Sequence, residues 1–422
     1  MSTSSTARVA VIGAGITGIT TAYNLAKRGC TVTVFEKHPY AAMETSFANG
    51  GQLSASNAEV WNSWGTVFKG MKWMFTPGAP LLVNPTPSWH KMSWMAEFIA
   101  AIPKHEENTV TTVRMAIEAR GHLTRMAQEA GIDFDCEERG ILHFYKTKRD
   151  FDAAVETTKL LAKGGLVRQA VTPAEMHAIE PALKGELYGG FYTPSDFTGD
   201  IHKFTIGLAK ACERLGVRLS FGTKVLSVAA SPAIVTVEHV STEPRLDERA
   251  PETEISTFDQ IVICSGVMSR ALAASLGDRI NVYPVKGYSI TISLPDAVDQ
   301  AAAPWVSLLD DAAKIVTSRL GQTRFRVAGT AEFNGANKDI RAARIDPLVM
   351  WCRAHFPGMS TRHAVPWAGL RPMMPDMMPR VMRGRDPRVF YNTGHGHLGW
   401  TLSAATAEAV AALATSANRL NA

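Results

Sequence analysis

Apolar and polar positions change rhythm twice within residues 8–36, RVAVIGAGITGITTAYNLAKRGCTVTVFE. Arg8 to Ile12 form a short apolar run, which predicts a buried strand. From Ile16 to Arg28 apolar residues recur at helical spacing, with Ile16, Ile19, Tyr23 and Ala26 on one side, and Gly29 stands where such a helix stops. Thr31 to Phe35 alternate as a second strand. Further on, the pattern predicts a helix over 109–130 ended by Gly131, and a strand from Ile141 to Tyr145. Thr172-Pro173-Ala174-Glu175 is a capping box with proline in the first helical position, so a helix begins there. Lys203 to Leu215 is a helix closed by Gly216, and strands follow at Val217–Phe221 and Lys224–Val228. Phe258 to Cys264, FDQIVIC, is an apolar run ending in Ser265-Gly266. It reads as a parallel strand returning to the first sheet. Pro284–Leu294 and Arg324–Ala328 alternate as expected of a half-exposed antiparallel sheet. Arg388–Thr393 is a further strand. Gly394, Gly396 and Gly399 follow it, and then a closing helix over Trp400–Ala414.

Between the first strand and the first helix, Gly13, Gly15 and Gly18 fall in the pattern G-x-G-x-x-G. Gly13 makes the tight turn. Gly15 lets a pyrophosphate approach the backbone, Gly18 lets the helix lie close to the strand, and the helix N-terminus offers N–H groups to the anion. Glu36 lies 18 residues beyond Gly18 (36 − 18), at the end of the second strand. A carboxylate there grips a ribose hydroxyl pair and repels a 2′-phosphate, which disfavours NADP. The nucleotide sheet is assembled from separated pieces: the start of the chain, about 200–280, and the end. The material between forms a second domain. That interleaving suits a large cofactor lying across two domains better than a simple NAD dehydrogenase with a contiguous nucleotide unit.

At 422 residues the chain is too long for one ordinary core. With 46% hydrophobic and 20% charged residues it has the composition of a globular protein. The net charge of +5 is modest and spread out, so it does not argue for nucleic acid, though a basic face suits an anionic membrane surface. The densest basic cluster, Arg380, Arg383, Arg385 and Arg388, reads as a solvated loop. Five widely spaced cysteines without a C-x-x-C suit a reducing compartment and argue against zinc, iron–sulfur or a disulfide frame. Residues 1–7 are a short polar tail without the apolar region of a secretion signal, and no run is long and apolar enough to span a bilayer. The expectation is a cytoplasmic protein, with association to the inner face of the cell membrane left open.

Two stretches stand apart. Lys37 to Gln52, KHPYAAMETSFANGGQ, is small, polar and glycine-bearing, which suits a loop wrapped over a ligand or an ordinary surface loop. Residues 58–100 hold five of the nine tryptophans: Trp61, Trp64, Trp73, Trp89 and Trp94. Phe68, Met71, Met74, Phe75, Leu81 and Leu82 join them, with Lys69, Lys72 and Lys91 interleaved, and prolines 77, 80, 85 and 87 break any long helix. Aromatics mixed with lysines suit a membrane-interface anchor; a core-lining insertion that roofs the active site explains them equally well.

The chain resembles the flavin-dependent D-amino-acid dehydrogenases of the wider D-amino-acid oxidase and glycine oxidase superfamily. VIGAGITGIT at 11–20, ETSFANGGQLS at 44–54, KWMFTPGAPL at 72–81, YPVKGYSITI at 283–292, GLRPMMPD at 369–376 and NTGHGHLGWT at 392–401 carry the resemblance. It implies an α/β fold: a Rossmann-like FAD-binding domain (1–57, 198–280 and 366–422) interleaved with an α+β substrate domain (58–197 and 281–365) built on a large mixed or antiparallel sheet. It also implies noncovalent FAD. Gly13, Gly15, Gly18, Glu36 and Lys37 would hold the ADP half, Ser46, Asn49, Gly50, Gly51 and Gln52 would line the flavin, and Val225 would face the adenine. Gly266, Gly394, His397, Gly399, Trp400 and Thr401 would close the site, with the last helix pointing its positive end at the flavin.

For the substrate, the resemblance points to Arg371 in GLRP as the carboxylate ligand, since a guanidinium presents two parallel N–H bonds to a carboxylate; a surface ion pair is the plainer reading. Tyr288 in KGYS would supply a phenol to the same carboxylate, although a lone strand tyrosine reads equally as core. Tyr283 and His397 are weaker candidates. His395-x-His397 has the look of a metal pair but lacks a placed third ligand, so no metal is expected. The implied chemistry is hydride transfer from the α-carbon of a D-amino acid to flavin N5. Imine hydrolysis to a 2-oxo acid and ammonia follows, and electrons pass to a quinone or other acceptor, with 61–94 as the membrane dock. The alternatives are an amine or cyclic imino-acid oxidoreductase acting on D-proline, D-hydroxyproline, sarcosine or glycine, and a non-catalytic electron-relay subunit. Where relatives carry glycines after GLRP, this chain has Met377 and Met382, so that loop is expected to be reshaped, because methionine does not take a positive φ cheaply.

Overall fold

The computed structural model describes residues 6–74, 76, 79–231, 233–242 and 252–419, with 417–419 described by backbone alone. The expectations placed on residues 1–5, Phe75 and Pro77 lie outside them. In chain order, the elements that position the site are β1 (Arg8–Ile12), α1 (Ile16–Lys27), β2 (Thr31–Phe35), α2 (Trp64–Met74), α3 (Trp89–Ala100), α4 (His105–Ala130), β3 (Arg218–Ser220), β4 (Gln260–Ile263), β5 (Tyr283–Ser293), β6 (Arg324–Phe333), β7 (Ala364–Met373), β8 (Arg380–Arg383), β9 (Val389–Thr393) and α5 (Gly399–Arg419).

The first sheet runs in the order β8-β9-β4-β1-β2-β3, parallel except for β8 at the edge. Val9, Ala10 and Val11 of β1 are fully buried, as a central parallel strand covered on both faces requires. The chain leaves β1 for β2 on one side and returns to β4 on the other. This reversal opens a crevice at the carboxyl ends of the strands, where ligands bind in open parallel sheets. The run at 258–264 therefore pairs as its apolar character predicts, Val9 to Ile12 lying beside Gln260 to Ile263. A three-stranded antiparallel sheet, Thr223–Ala230, Val235–Ser241 and Thr253–Phe258, packs over this end.

The second sheet has nine strands, with β7, β5 and β6 at one side and the short strand Leu81–Val83 parallel to β6. It is mostly antiparallel, but Ser307–Asp310 runs parallel to Ile141–Tyr145. The half-exposed alternation expected for β5 does not hold, because Tyr283 to Ile290 are all buried. One face packs on the helix Ala342–His355, through Leu348, Trp351 and Cys352. The other looks toward the nucleotide side, where Ser289 Oγ donates to Ala48 O at 2.7 Å.

Two divisions of the chain fall elsewhere than expected. α4 begins at His105 rather than 109, and Leu123, Met126 and Ala127 join the nucleotide-side core with Ile19 and Trp400 instead of the substrate domain. The boundary expected at 366 falls inside β7, which stays with the large sheet to Met373. The aromatic insertion becomes two helices, with Pro80, Pro85 and Pro87 between them. Among the described residues, no helix is long and apolar enough to cross a membrane.

Candidate active site

At the carboxyl edge of the first sheet, Gly13 adopts φ +101°, and a Cβ there would stand 2.9 Å from Cys264 O. A Cβ on Gly18 would collide with Gly13 O, so bare glycines let α1 lie against the turn. Gly15 is the N-cap of α1 and brings no side-chain cap; the first turn holds no acid. Such a helix start is shaped for an anion. Ser46 Oγ accepts from Ile16 N–H at 3.1 Å and so closes part of the helix end itself. Glu36 accepts from Ala14 N–H (2.8 Å) and His38 N–H (3.0 Å), one bond to each oxygen, which pins the glycine loop and leaves further lone pairs for hydroxyl donors. Lys37 pairs with Glu44 at 2.7 Å, and Glu44 also binds His38 and Lys338. Burial pushes the Glu44 carboxyl up, but the hydrogen bonds from Lys338, Lys37 and His38 overcome it and hold it at about 2. Val225 lies at a bulge in its strand and borders the same cavity.

The loop after β2 is held by its own small residues. Asn49 Oδ1 accepts from Gly51 N–H at 2.9 Å, Gly51 takes φ +73°, and a methyl on Gly50 would run into Val316 at 2.7 Å. Gln52 Nε2 donates to Ser307 Oγ and Leu308 O, which ties the loop to the second sheet. Sequence reading missed what anchors the next turn. Asp196, fully buried, accepts from Ala55 N–H, Ser56 N–H and Ser54 Oγ–H and pairs with Arg120, while Ser56 Oγ meets His143 Nε2 at 2.8 Å. These partners are 76 to 142 residues apart, so no local pattern marks them.

The glycine turn after β9 delivers the start of α5 to the same place. Gly394 (φ +77°) and Gly396 (φ +58°) make the turn, and Thr401 Oγ1 accepts from Ser54 N–H at 3.2 Å. Gly266 (φ +55°) lines the cavity beside them, as does Gly399. The Trp400 ring packs edge-on to Phe134 and Phe204 in the core, so this residue borders the cavity only at the helix start. His395 turns to Thr406, and His397 stacks on Trp61 at 4.7 Å and reaches Asn57 O at 3.3 Å. Burial lowers the His397 pKa to about 4, with Arg371 adding to the shift, so the ring is neutral at ordinary pH.

A cavity of about 1300 Å³ runs from Glu36 past these residues and Arg371 to the underside of α2. Arg371 sits deep in the protein and borders this cavity. Its Nη1 donates to Thr330 O at 2.9 Å, and among the described residues it has no acidic partner. Enclosure lowers its pKa to about 10, which leaves it charged at neutral pH. An unpaired guanidinium in such a place is costly unless a ligand answers it.

Tyr288 borders the same cavity, but its side chain does not stand with that of Arg371. The register pairs Val285 with Arg371 and Tyr288 with Ala368, so the two side chains leave opposite faces of the sheet. The Tyr288 ring lies in the core with Ile290, Leu348 and Trp351, and its hydroxyl donates to Glu332 at 2.8 Å. Tyr283 shares a face with Arg371, but its ring packs between Trp94 and Phe333 and its hydroxyl accepts from Gly335 N–H at 3.2 Å. At Met377 the left-handed backbone that methionine was expected to avoid is present. Met377 keeps φ +63° and is buried with Val60, Trp94 and Met373, so burial of its side chain offsets the strain of a left-handed methionine; Met382 lies in β8. The aromatic insertion divides between its two readings. Trp94 donates its indole N–H to Met373 O at 2.9 Å, and Trp61 lines the cavity, whereas Trp64 and Trp89 project outward, 55% and 85% exposed.

A family model described as DAO, FAD dependent oxidoreductase, matches residues 8–413. The chain is 58% identical over 404 residues to "D-amino acid dehydrogenase 3" of Mesorhizobium japonicum, covering 96% of both. It is 39% identical to "D-amino acid dehydrogenase" of Dechloromonas aromatica, again over 96% of both. Among solved structures its fold is similar to glycine oxidase from Geobacillus kaustophilus (TM-score 0.73, 20% identity, 97% and 95% of the two chains) and to L-proline dehydrogenase from P. horikoshii (TM-score 0.73, 17% identity, 97% and 94%).

Proposed function

The chain belongs to the family of FAD-dependent oxidoreductases that act on amino acids, with FAD as cofactor, and on that premise we propose that it deaminates D-amino acids to 2-oxo acids and ammonia and hands the electrons to a quinone-type acceptor. The observation that carries the reading is Arg371: a charged, enclosed guanidinium at the cavity wall, held by a carbonyl and, among the described residues, left without an acid. Relatives that cover 96% of the chain bear the name D-amino acid dehydrogenase, which supports the choice of substrate.

The cradle fits the cofactor, because bare Gly13 and Gly18 let the uncapped start of α1 lie against the turn and Glu36, directly after β2, holds that turn through Ala14 N–H. Gly13, Gly15, Gly18, Glu36 and Lys37 would border the ADP half and Val225 the adenine. Ser46, Asn49, Gly50, Gly51, Gln52, Gly266, Gly394, Gly399, Trp400 and Thr401 would surround the rest. FAD, when bound, supplies the two-electron acceptor to which the α-hydrogen passes. The protein's part is to hold and orient. Arg371 takes the substrate carboxylate in two parallel bonds, which fixes the α-carbon. His397, kept neutral by burial, places no second cation beside Arg371.

The far end of the cavity supports a lipid-soluble acceptor. Trp61, Val67, Met71, Trp73, Leu81 and Phe98 line it beneath α2. α2 has no buried side chain, and it carries Trp64, Phe68, Met71 and Met74 at 4- and 3-residue spacing with Lys69 and Lys72 nearby. That composition suits an anionic membrane surface, with the enzyme at its cytoplasmic face.

An anaerobic visible spectrum of the holoenzyme, titrated with D-alanine, D-proline and their L forms, tests the substrate. Bleaching by D-alanine is expected; bleaching by L forms alone overturns the reading, and bleaching only by D-proline moves it to cyclic imino acids. Flotation with anionic liposomes tests the dock, where Trp64→Glu with Phe68→Glu is expected to abolish binding without lowering the melting temperature.

A further inference from the structure

Arg371 reaches its place across a bare patch of sheet. The β5–β7 register sets Gly287 directly opposite Gly369, on the face that carries Arg371. A Cβ on Gly287 would fall within 3.0 Å of three guanidinium atoms of Arg371, and a Cβ on Gly369 would overlap the Trp367 ring as closely. Neither glycine has a positive φ, so backbone freedom is not the reason for them. Glycine inside a strand weakens it, and its usual justification there is the close approach of another group. Here two planar groups, a guanidinium and an indole, cover the rung.

The second contact on Arg371 is also bought at a cost. Thr330 adopts φ +61°, an outlier for a β-branched residue, and its buried hydroxyl has no partner among the described residues. It lies in the irregular stretch of β6 where the pairing with β5 shifts between Lys286 and Tyr288, and its carbonyl is the acceptor for Arg371 Nη1. A carbonyl orients a guanidinium without neutralising it, whereas a carboxylate in that place would cancel the charge and compete with a ligand.

We propose that Gly287 is a positioning residue for substrate recognition: its missing side chain lays the Arg371 guanidinium flat on the sheet, the strained Thr330 carbonyl fixes it there, and the pair presents one pre-set orientation to an incoming carboxylate. The inference rests on the reading of Arg371 as the carboxylate ligand. Its benefit is entropic, since a long side chain already immobilised in the free enzyme loses less on binding.

Gly287→Ala in the holoenzyme tests it. The new methyl meets the far end of a flexible side chain rather than backbone, so Arg371 moves and the fold stays. KM for the D-amino acid that reduces the enzyme should rise about tenfold or more with kcat much less affected. The dissociation constant of propionate, an unreactive carboxylate read from the flavin's visible band, should rise by the same factor, with melting temperature and bound FAD unchanged. Added to Arg371→Ala, the same substitution should change neither constant. If Gly287→Ala lowers the melting temperature but leaves propionate binding alone, or if its effect persists in the Arg371→Ala background, Gly287 is only a structural glycine and the inference falls. If Arg371→Ala itself leaves KM and propionate binding unchanged, the carboxylate reading falls and takes this inference with it.

Discussion

The two faces of β5 treat charge in opposite ways. On one, Lys286 and Glu332 are fully buried and 3.2 Å apart; Glu332 also accepts from the Tyr288 hydroxyl and from Asn334 and pairs with Arg341, and Lys286 donates to Asn337 and Asp339 O. Burial pushes the Glu332 carboxyl up, but the bonds from Tyr288 and Lys286 outweigh it and hold it below the usual carboxylate range. On the other face, Arg371 has one carbonyl and an open cavity. A charge whose partners are all supplied by the fold holds loop 334–341 to the sheet. A charge whose partner is missing, beside a cavity, is shaped for a ligand. Residue type alone does not separate the two, since both faces carry long cations.

The contrast makes separable predictions. Glu332→Ala leaves Lys286 buried and unpaired and should cost about 3–5 kcal/mol of stability in denaturant titration, with propionate binding preserved. Arg371→Ala should do the reverse, weakening substrate binding by about 2–5 kcal/mol at an unchanged or higher melting temperature. Tyr288→Phe removes a hydrogen bond to a charged acceptor and should cost about 1.5–3 kcal/mol of stability while KM stays within about twofold; a large rise in KM would return the phenol to the substrate side. The smallest effect at neutral pH concerns His395 and His397, which burial holds at about 3 and about 4. The unfolded chain takes up these protons first as the solution is acidified, so their contribution to stability is complete above about pH 6.5 and is lost as pH falls toward 4 for His397 and toward 3 for His395. His395→Gln should flatten that part of the melting-temperature profile.

The nucleotide end was legible because its signals are local. Gly13, Gly15, Gly18 and Glu36 lie within one strand–helix–strand unit, and the structure places them along one edge as their spacing predicts. The capping box at Thr172, the left-handed end of α4 at Gly131 and the return strand β4 are local in the same sense. The direction of the Tyr288 ring is not legible, because alternation along a strand says that its neighbours face the other way, without saying which face carries Arg371. Asp196, Arg120 and Thr330 left no trace, since their partners are distant in the chain and, at Thr330, the signal is a backbone angle. At Met377 the steric cost is readable from the residue type, whereas the pocket of Val60, Trp94 and Met373 that offsets it is not.

From residue order alone follow the interleaved α/β architecture, the dinucleotide cradle and the presence of one arginine in a glycine-bounded motif, all of which depend on short-range sterics and periodicity. Which face of β5 meets the cavity, which cation is left without an acid, and which aromatic rings of 58–100 turn inward depend on strand register and on packing between segments hundreds of residues apart. Those were decided only when the two sheets closed on each other, because pairing register is a property of the assembled ladder and not of any one strand.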